Sequence, residues 1–297
     1  MTKGFLTNIG ILGLALIAKL PFWLIYMFAD IFYFFVYYVF GYRKLVVINN
    51  LRNAFPEKSE KEIQNISKKY YRHFSDLMLE SIKSSHISQK EIKKRMIIEN
   101  PELINQFYAQ GKSVVVLTMH YNNWEWSCIF PMYIKHTILG VYKPLHNQKF
   151  DELLINNRAR WGAELIQNKN VLRRIVKAEK QKEPVFIWLA GDQTPPGNHE
   201  EWFTFLHQDA LFYPGPAAIS RRFKSPVFFQ KIEKTGRGKY NTKFELLFED
   251  PTQFSETEII KTYIQRMEEL IREKPEFYLW SHRRWKHKKP ADIALNN

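Results

Sequence analysis

The 297-residue chain has a single cysteine, Cys128. An intrachain disulfide is therefore excluded, and nothing argues for an oxidising compartment. Cys128 follows Trp126 and Ser127 in a stretch that reads as a buried helix, where a packed thiol is expected rather than a nucleophile. No Gly-x-Ser-x-Gly elbow is present, so an obvious serine nucleophile is missing too. A metal centre finds little support, since there is neither a Cys cluster nor a His-x-x-x-His pair. Internal repeats and low-complexity tracts are absent, as is any linker that would divide the chain after residue 45.

Charge is scarce in one place. From Gly4 to Tyr42 only Lys19 and Asp30 are charged. The stretch splits into Gly4–Ala18, Leu20–Ala29 and Ile31–Tyr42, and no piece reaches the roughly 20 apolar residues of an unambiguous membrane span. A tilted span with Lys19 snorkelling to the interface fits, as does a monotopic helix. Pro21 would kink or restart the helix. The aromatic run from Ile31 to Phe40 has the composition of a headgroup-level belt. Arg43 and Lys44 follow at once, as a cytoplasmic flank beside anionic lipid would. A cleaved signal peptide is disfavoured, because no Ala-x-Ala site follows and the apolar run is too long. A helical hairpin buried in the core is the bland alternative. Residues 1–45 are therefore expected to be a hydrophobic membrane anchor or interfacial segment, and residues 46–297 the working domain.

Hydrophobic residues make up 45% of the chain, so a sizeable core is available. The formal net charge of +14 calls for an anionic partner, whether nucleic acid, membrane, phosphorylated lipid or acidic protein. Ser59–Glu62 has the capping-box pattern, and the helix it opens carries an apolar stripe of Ile63, Ile66, Tyr70, Phe74 and Leu77. Ser255–Glu258 repeats the box and opens a helix through Ile271. Buried strands are predicted over Ser113–Met119, Thr137–Tyr142, Val185–Ala190, Pro226–Ile232 and Lys243–Phe248. Asn147–Trp161 reads as a helix stopped by Gly162. This alternation implies an α/β fold with a mixed, partly parallel sheet flanked by helices. The long loop Thr194–Tyr213 is rich in Pro, Gly and aromatics, which marks it as functional.

The first strand ends at His120, where ligands bind in open α/β sheets. Asn122 or Asn123 can cap a following helix, and Glu125 falls in its first turn. A carboxylate there can reach back to the imidazole, fix its tautomer and stabilise the imidazolium. His120 and Glu125 are thus a candidate general base and its orienting partner, acting on a substrate hydroxyl. By spacing alone a core or capping histidine is the expected reading, ahead of catalysis.

The wider pattern adds to this. His120-x-x-Asn-Trp-Glu125 after an apolar strand resembles the bacterial lauroyl/myristoyl acyltransferases of lipid A biosynthesis, within the glycerolipid acyltransferase superfamily. Further matches are Asn50-Leu-Arg-Asn-Ala-Phe-Pro56, Arg72-His73-Phe74 with Glu80, Tyr142-Lys-Pro144, Arg158-x-Arg160-Trp-Gly162, Asp192-Gln193 and the segment Tyr278–Lys286. The resemblance runs from about residue 20 to residue 287. Two departures stand out. Family members often have Gly where Asn122 stands, and a Gly–Gln or Gly–Arg pattern is replaced around Leu206-His207-Gln208.

The resemblance implies transfer of a fatty acyl group from a thioester, on acyl carrier protein or CoA, to a hydroxyl of a phosphorylated lipid A precursor. It implies a catalytic role for His120 and Glu125, and substrate contacts from Arg158, Asp192, Gln193 and Arg283. No resident cofactor is expected, since the thioester is a co-substrate. An anionic membrane is the expected surface, and the location is the cytoplasmic face of the bacterial inner membrane. Two alternatives share the fold: the same chemistry on another lyso-lipid or an amino-acid-containing lipid, and a non-catalytic membrane-associated lipid-binding protein. A nucleic-acid-binding module would leave the apolar N-terminus without a purpose, so no nucleic acid partner is expected.

Overall fold

The computed structural model describes residues 2–195 and 201–296. Among them nine strands form: β1 Met96–Ile98, β2 Val114–Thr118, β3 Thr137–Tyr142, β4 Glu164–Gln167, β5 Val185–Ala190, β6 Trp202–Phe205, β7 Gln208–Leu211, β8 Val227–Gly236 and β9 Lys239–Phe248. Seven make one sheet in the order β1-β9-β8-β2-β5-β3-β4, while β6 and β7 pair by themselves. Every neighbouring pair of the large sheet is parallel except β8 with β9. The chain therefore has a mixed α/β fold with a mostly parallel sheet. β2 reads Val-Val-Val-Leu-Thr and is buried throughout, as a central parallel strand covered on both faces must be.

Helices α1 Thr2–Lys19, α2 Phe22–Phe34, α3 Lys44–Ala54 and α4 Glu60–Lys83 precede the sheet. Helices α5 Gln89–Arg95, α6 Pro101–Ala109, α7 Gln148–Ala159, α8 Val171–Lys180, α9 Gly215–Arg222 and α10 Glu256–Glu273 are distributed among the strands. Both predicted capping boxes form, at Ser59 and at Ser255. The apolar stripe of α4 is buried along its length. The segment after Asn123 differs from the α-helix expected there. It is a 3₁₀ helix, Trp124–Met132, tightened by Pro131 within it. Cys128 lies buried inside it, and burial pushes the thiol up to about 12.

The stretch read as one long loop contains the β6–β7 hairpin. Its turn is Leu206-His207, with φ of 50° and 63°. Positive φ at both central residues is the geometry of a type I′ turn, whose twist suits a tight hairpin.

Pro21 separates α1 from α2, and α2 runs on into a π-helical turn, Phe35–Val39. Phe22–Val39 is long and apolar enough to cross a bilayer by length and composition, at a mean hydropathy of 1.6. Its outer face is bare, with Trp23 69% and the adjoining Phe40 74% exposed. Ile25, Ala29, Tyr33, Val36 and Tyr37 are buried, and α2 makes its main packing contact with α4.

Polar contacts key this apolar segment to the rest of the molecule. Lys83 Nζ donates to the carbonyls of Ala18 and Leu20 at 2.9 and 2.7 Å, closing the end of α1. Arg237, in the β8–β9 turn, bridges Asp30 and Asp76 at 2.7 Å each. Next to it Gly238 has φ +65°, and a Cβ built there would lie 1.6 Å from the Tyr26 hydroxyl oxygen. Gly238→Ala is expected to lose about 2–4 kcal/mol, from the left-handed backbone together with overpacking. Thermal unfolding of the variant should show a clearly lowered midpoint. An unchanged midpoint would mean that α2 is not seated on this turn.

Candidate active site

The sheet register builds the site. Thr118 of β2 pairs with Ala190 of β5 in parallel. Two residues further along each chain lie His120 and Asp192. His120 Nδ1 is 2.7 Å from Asp192 Oδ1, and the His120 backbone N–H donates to Asp192 Oδ2 at 3.0 Å. Asp192 is only 1% exposed. A carboxylate can only accept, so Nδ1 carries the proton and Nε2 is left with its lone pair. Gln193 Nε2 lies 3.2 Å from that lone pair on an exposed side chain.

Several elements hold this pair. Tyr263 of α10 donates its hydroxyl to the Thr118 carbonyl at 2.5 Å and accepts from the Gly191 N–H at 3.2 Å, clipping the ends of both strands. The Leu279 N–H donates to the His120 carbonyl at 3.1 Å, and the Asn122 N–H donates to the Phe277 carbonyl at 3.0 Å. Asn122 has φ 55°, and its Nδ2 donates to the Ile232 carbonyl at 2.8 Å. That conformation is routine for glycine and tolerated by asparagine, which explains why Asn can stand in the place of Gly.

Glu125 is placed differently from the sequence-based expectation. It does not hydrogen-bond the imidazole. Its Oε2 and Oε1 accept from Arg158 Nε and Nη2 at 2.8 and 2.6 Å, and the Trp124 indole N–H reaches Oε1 at 3.2 Å. The physical reason is the 3₁₀ turn: Asn123 Oδ1 caps it by accepting from the Trp126 N–H at 3.1 Å, and Glu125 points toward the last turn of α7. The position of orienting carboxylate at His120 Nδ1 belongs to Asp192. Trp124 instead packs its ring edgewise on the imidazole, 4.9 Å between centroids.

The electrostatics follow the pairing. Burial of His120 opposes protonation, but the Asp192 carboxylate, with Glu125 nearby, outweighs it and the imidazole is raised above its ordinary value. Burial also works against ionisation of Asp192 and Glu125. Contact with His120 in one case and with Arg158 in the other still holds each below the usual carboxylate range.

Arg283 is exposed, and its carbonyl accepts from the Thr194 hydroxyl at 3.3 Å, next to Gln193. Its neighbour Arg284 is almost fully buried. Its Nη2 donates to the Leu211 carbonyl at 2.7 Å, and its guanidinium lies 4.3 Å from the Phe212 ring centroid. Among the described residues, no group of three or more His, Cys, Asp or Glu could hold a metal ion.

This arrangement can take a proton at His120 Nε2 and can present a guanidinium, fixed by Glu125, beside it. A family model described as bacterial lipid A biosynthesis acyltransferase matches residues 1–287. The lipid A biosynthesis palmitoleoyltransferase of Escherichia coli K12 is 22% identical over 256 residues, covering 85% of this chain and 82% of that protein. A lipid A biosynthesis acyltransferase of Haemophilus influenzae is 25% identical, covering 82% of this chain and 78% of its own length. The crystal structure of a 1-acyl-sn-glycerophosphate acyltransferase from Thermotoga maritima aligns at a TM-score of 0.39 and 14% identity, covering 83% of this chain and 95% of that one.

The site predicts a titration. In imidazole NMR spectra His120 should titrate above the free value of about 6.5. Asp192→Asn removes the carboxylate that stabilises the imidazolium, so burial prevails and the titration moves down. A His120 signal that does not respond to Asp192→Asn would dissolve the pair.

Proposed function

Because the chain belongs to the bacterial lipid A biosynthesis acyltransferase family, we propose that it moves a fatty acyl chain from an acyl carrier protein thioester to a hydroxyl of a phosphorylated lipid A precursor. The observation that carries this reading is the His120–Asp192 pair at the ends of β2 and β5, with Arg158 held bidentate by Glu125 next to it. The acceptor hydroxyl replaces the Gln193 amide at His120 Nε2 and gives up its proton there. Its oxygen attacks the thioester carbonyl carbon, and the carbon–sulfur bond breaks. The departing thiolate recovers the proton from the imidazolium, so the histidine ends as it began. Asp192 keeps the ring oriented and stabilises its charged form. Arg158 uses Nε and Nη2 on Glu125, and its remaining edge serves the oxygen on which negative charge develops. Exposed Arg283 contributes to holding the phosphorylated acceptor.

The enzyme works at a membrane surface, on the cytoplasmic side of the bacterial inner membrane. The bare aromatic face of Phe22–Val39 supports this, as do Arg43 and Lys44 directly after it. Arg43 Nη1 donates to the Ser281 carbonyl at 2.9 Å, which fastens the anchor's end to the C-terminal site segment. The two departures from the family pattern, Asn122 and Leu206-His207, keep the positive φ that a glycine would adopt. They are backbone-conserving changes and carry no argument for a different acceptor.

The test is acyl transfer in detergent from an acyl-carrier-protein thioester to a tetra-acylated lipid A precursor. His120→Ala should lower kcat by about 10²–10⁴-fold, the range of a general base. Arg158→Lys, which cannot make the bidentate contact, should lower it by about tenfold or more. Undiminished transfer by His120→Ala would remove the base. Wild type that turns over other lyso-lipids but not this precursor would overturn the acceptor assignment.

A further inference from the structure

The turn that carries Glu125 is anchored from below. Asn123 is fully buried, and its Oδ1 caps the 3₁₀ helix while its Nδ2 donates to Glu80 Oε2 at 2.7 Å. Glu80 is itself fully buried, in the last turn of α4. The same oxygen accepts from the Tyr240 hydroxyl at 2.9 Å, and Oε1 accepts from the Tyr26 hydroxyl at 3.0 Å. One turn further along α4, Ser84 Oγ accepts from the Trp126 indole N–H at 3.0 Å. Three donors, from α2, from β9 and from the Glu125 turn, thus converge on one carboxylate. That suits a group with only acceptors to offer; an amide in its place would set N–H against at least one of them.

Tyr26 belongs to the apolar segment whose outer face is bare, and its hydroxyl fills the space above Gly238. A chain of hydrogen bonds, partly buried at Tyr26 and buried beyond it, therefore runs from that segment, through Glu80 and Asn123, to the first turn of the helix holding Glu125. Spatial continuity by itself is not coupling; a demonstrated energetic link is.

We propose that Glu80 is a positioning residue: it fixes Asn123, and through it the Glu125–Arg158 pair, and it makes that pair depend on how Tyr26 seats the N-terminal apolar helix. The inference rests on Glu125 and Arg158 serving acyl transfer. The helix is then part of the active site's scaffold as well as an attachment, and displacing it would loosen the Glu125 turn.

The experiment compares wild type, Tyr26→Phe, Glu80→Gln and the double variant in the transfer assay, with hydrogen–deuterium exchange of residues 122–132 on the same full-length samples. Glu80→Gln should lower kcat about tenfold or more, and Tyr26→Phe about threefold or more, with KM little changed in both. The double variant should be no slower than Glu80→Gln alone, because both act through one carboxylate. Exchange over 122–132 should rise in every variant. If the two losses multiply, or kcat holds while only the unfolding midpoint falls, Glu80 is a packing residue and the proposal is overturned. Should Glu80→Gln fail to fold, Tyr26→Phe decides by its own kcat and exchange. Exchange requires no turnover, so a wild type inactive on every acceptor would sink the proposed function while unchanged exchange would sink this one.

Discussion

Thr118 of β2 lies opposite Ala190 of β5, and what makes His120 useful follows from that pairing. Both strands are apolar runs at the centre of a parallel sheet, so their register is fixed by packing on two faces. Each then continues by two residues past the last paired position, which brings an imidazole and a carboxylate side by side at the edge where open α/β sheets bind ligands. A slip of one residue would turn Asp192 away from Nδ1. Tyr263 guards against this by joining the two strand ends through one hydroxyl.

Buried charge is tolerable only when paired, and the site obeys this twice. Asp192 is committed to His120, and Glu125 to Arg158. In the proposed reaction the two pairs divide the work between a proton acceptor of raised basicity and a guanidinium fixed in place. Glu80 is a third carboxylate, fully buried and held by hydrogen bonds from Tyr26, Asn123 and Tyr240 rather than by a direct ion pair; burial together with Asp76 pushes it up to about 7, and the bonds from Tyr240 and Asn123 oppose that rise. The three lie in sequence along one path, from the α4 interior to the sheet edge. The apolar N-terminal helix is packed onto the far end of that path through Tyr26.

What could be read in the sequence was local. The capping boxes at Ser59 and Ser255, the strands Thr137–Tyr142 and Val185–Ala190, and the helix beginning at Asn147 each depend on a few neighbouring residues, and each forms. The short strands β1, β4, β6 and β7 escaped, because three or four residues carry too little periodicity to be distinguished from loop. His120, Glu125, Arg158, Asp192 and Gln193 were all singled out by motif, and the fold brings them together. Which carboxylate meets the imidazole was not legible. The five-residue spacing from His120 to Glu125 looks like a reach back along a helix, whereas the true contact spans 72 residues and exists only through sheet register. Glu80 appeared only as one more match in α4; its three donors come from 43, 54 and 160 residues away. The departures at Asn122 and Leu206-His207 fall where the backbone has positive φ, which no local sequence pattern announced.

The pH dependence of kcat/KM for acyl transfer, compared between wild type and Asp192→Asn, tests the account most directly. With neutral His120 as the proposed base, wild-type activity should rise with pH through one ionisation lying above the free-imidazole value of about 6.5. Asp192→Asn should move that ionisation to lower pH and leave a plateau lower by about two orders of magnitude or more. A profile with the same ionisation and the same plateau in both proteins would contradict the account, because His120 would then owe neither its basicity nor its orientation to Asp192.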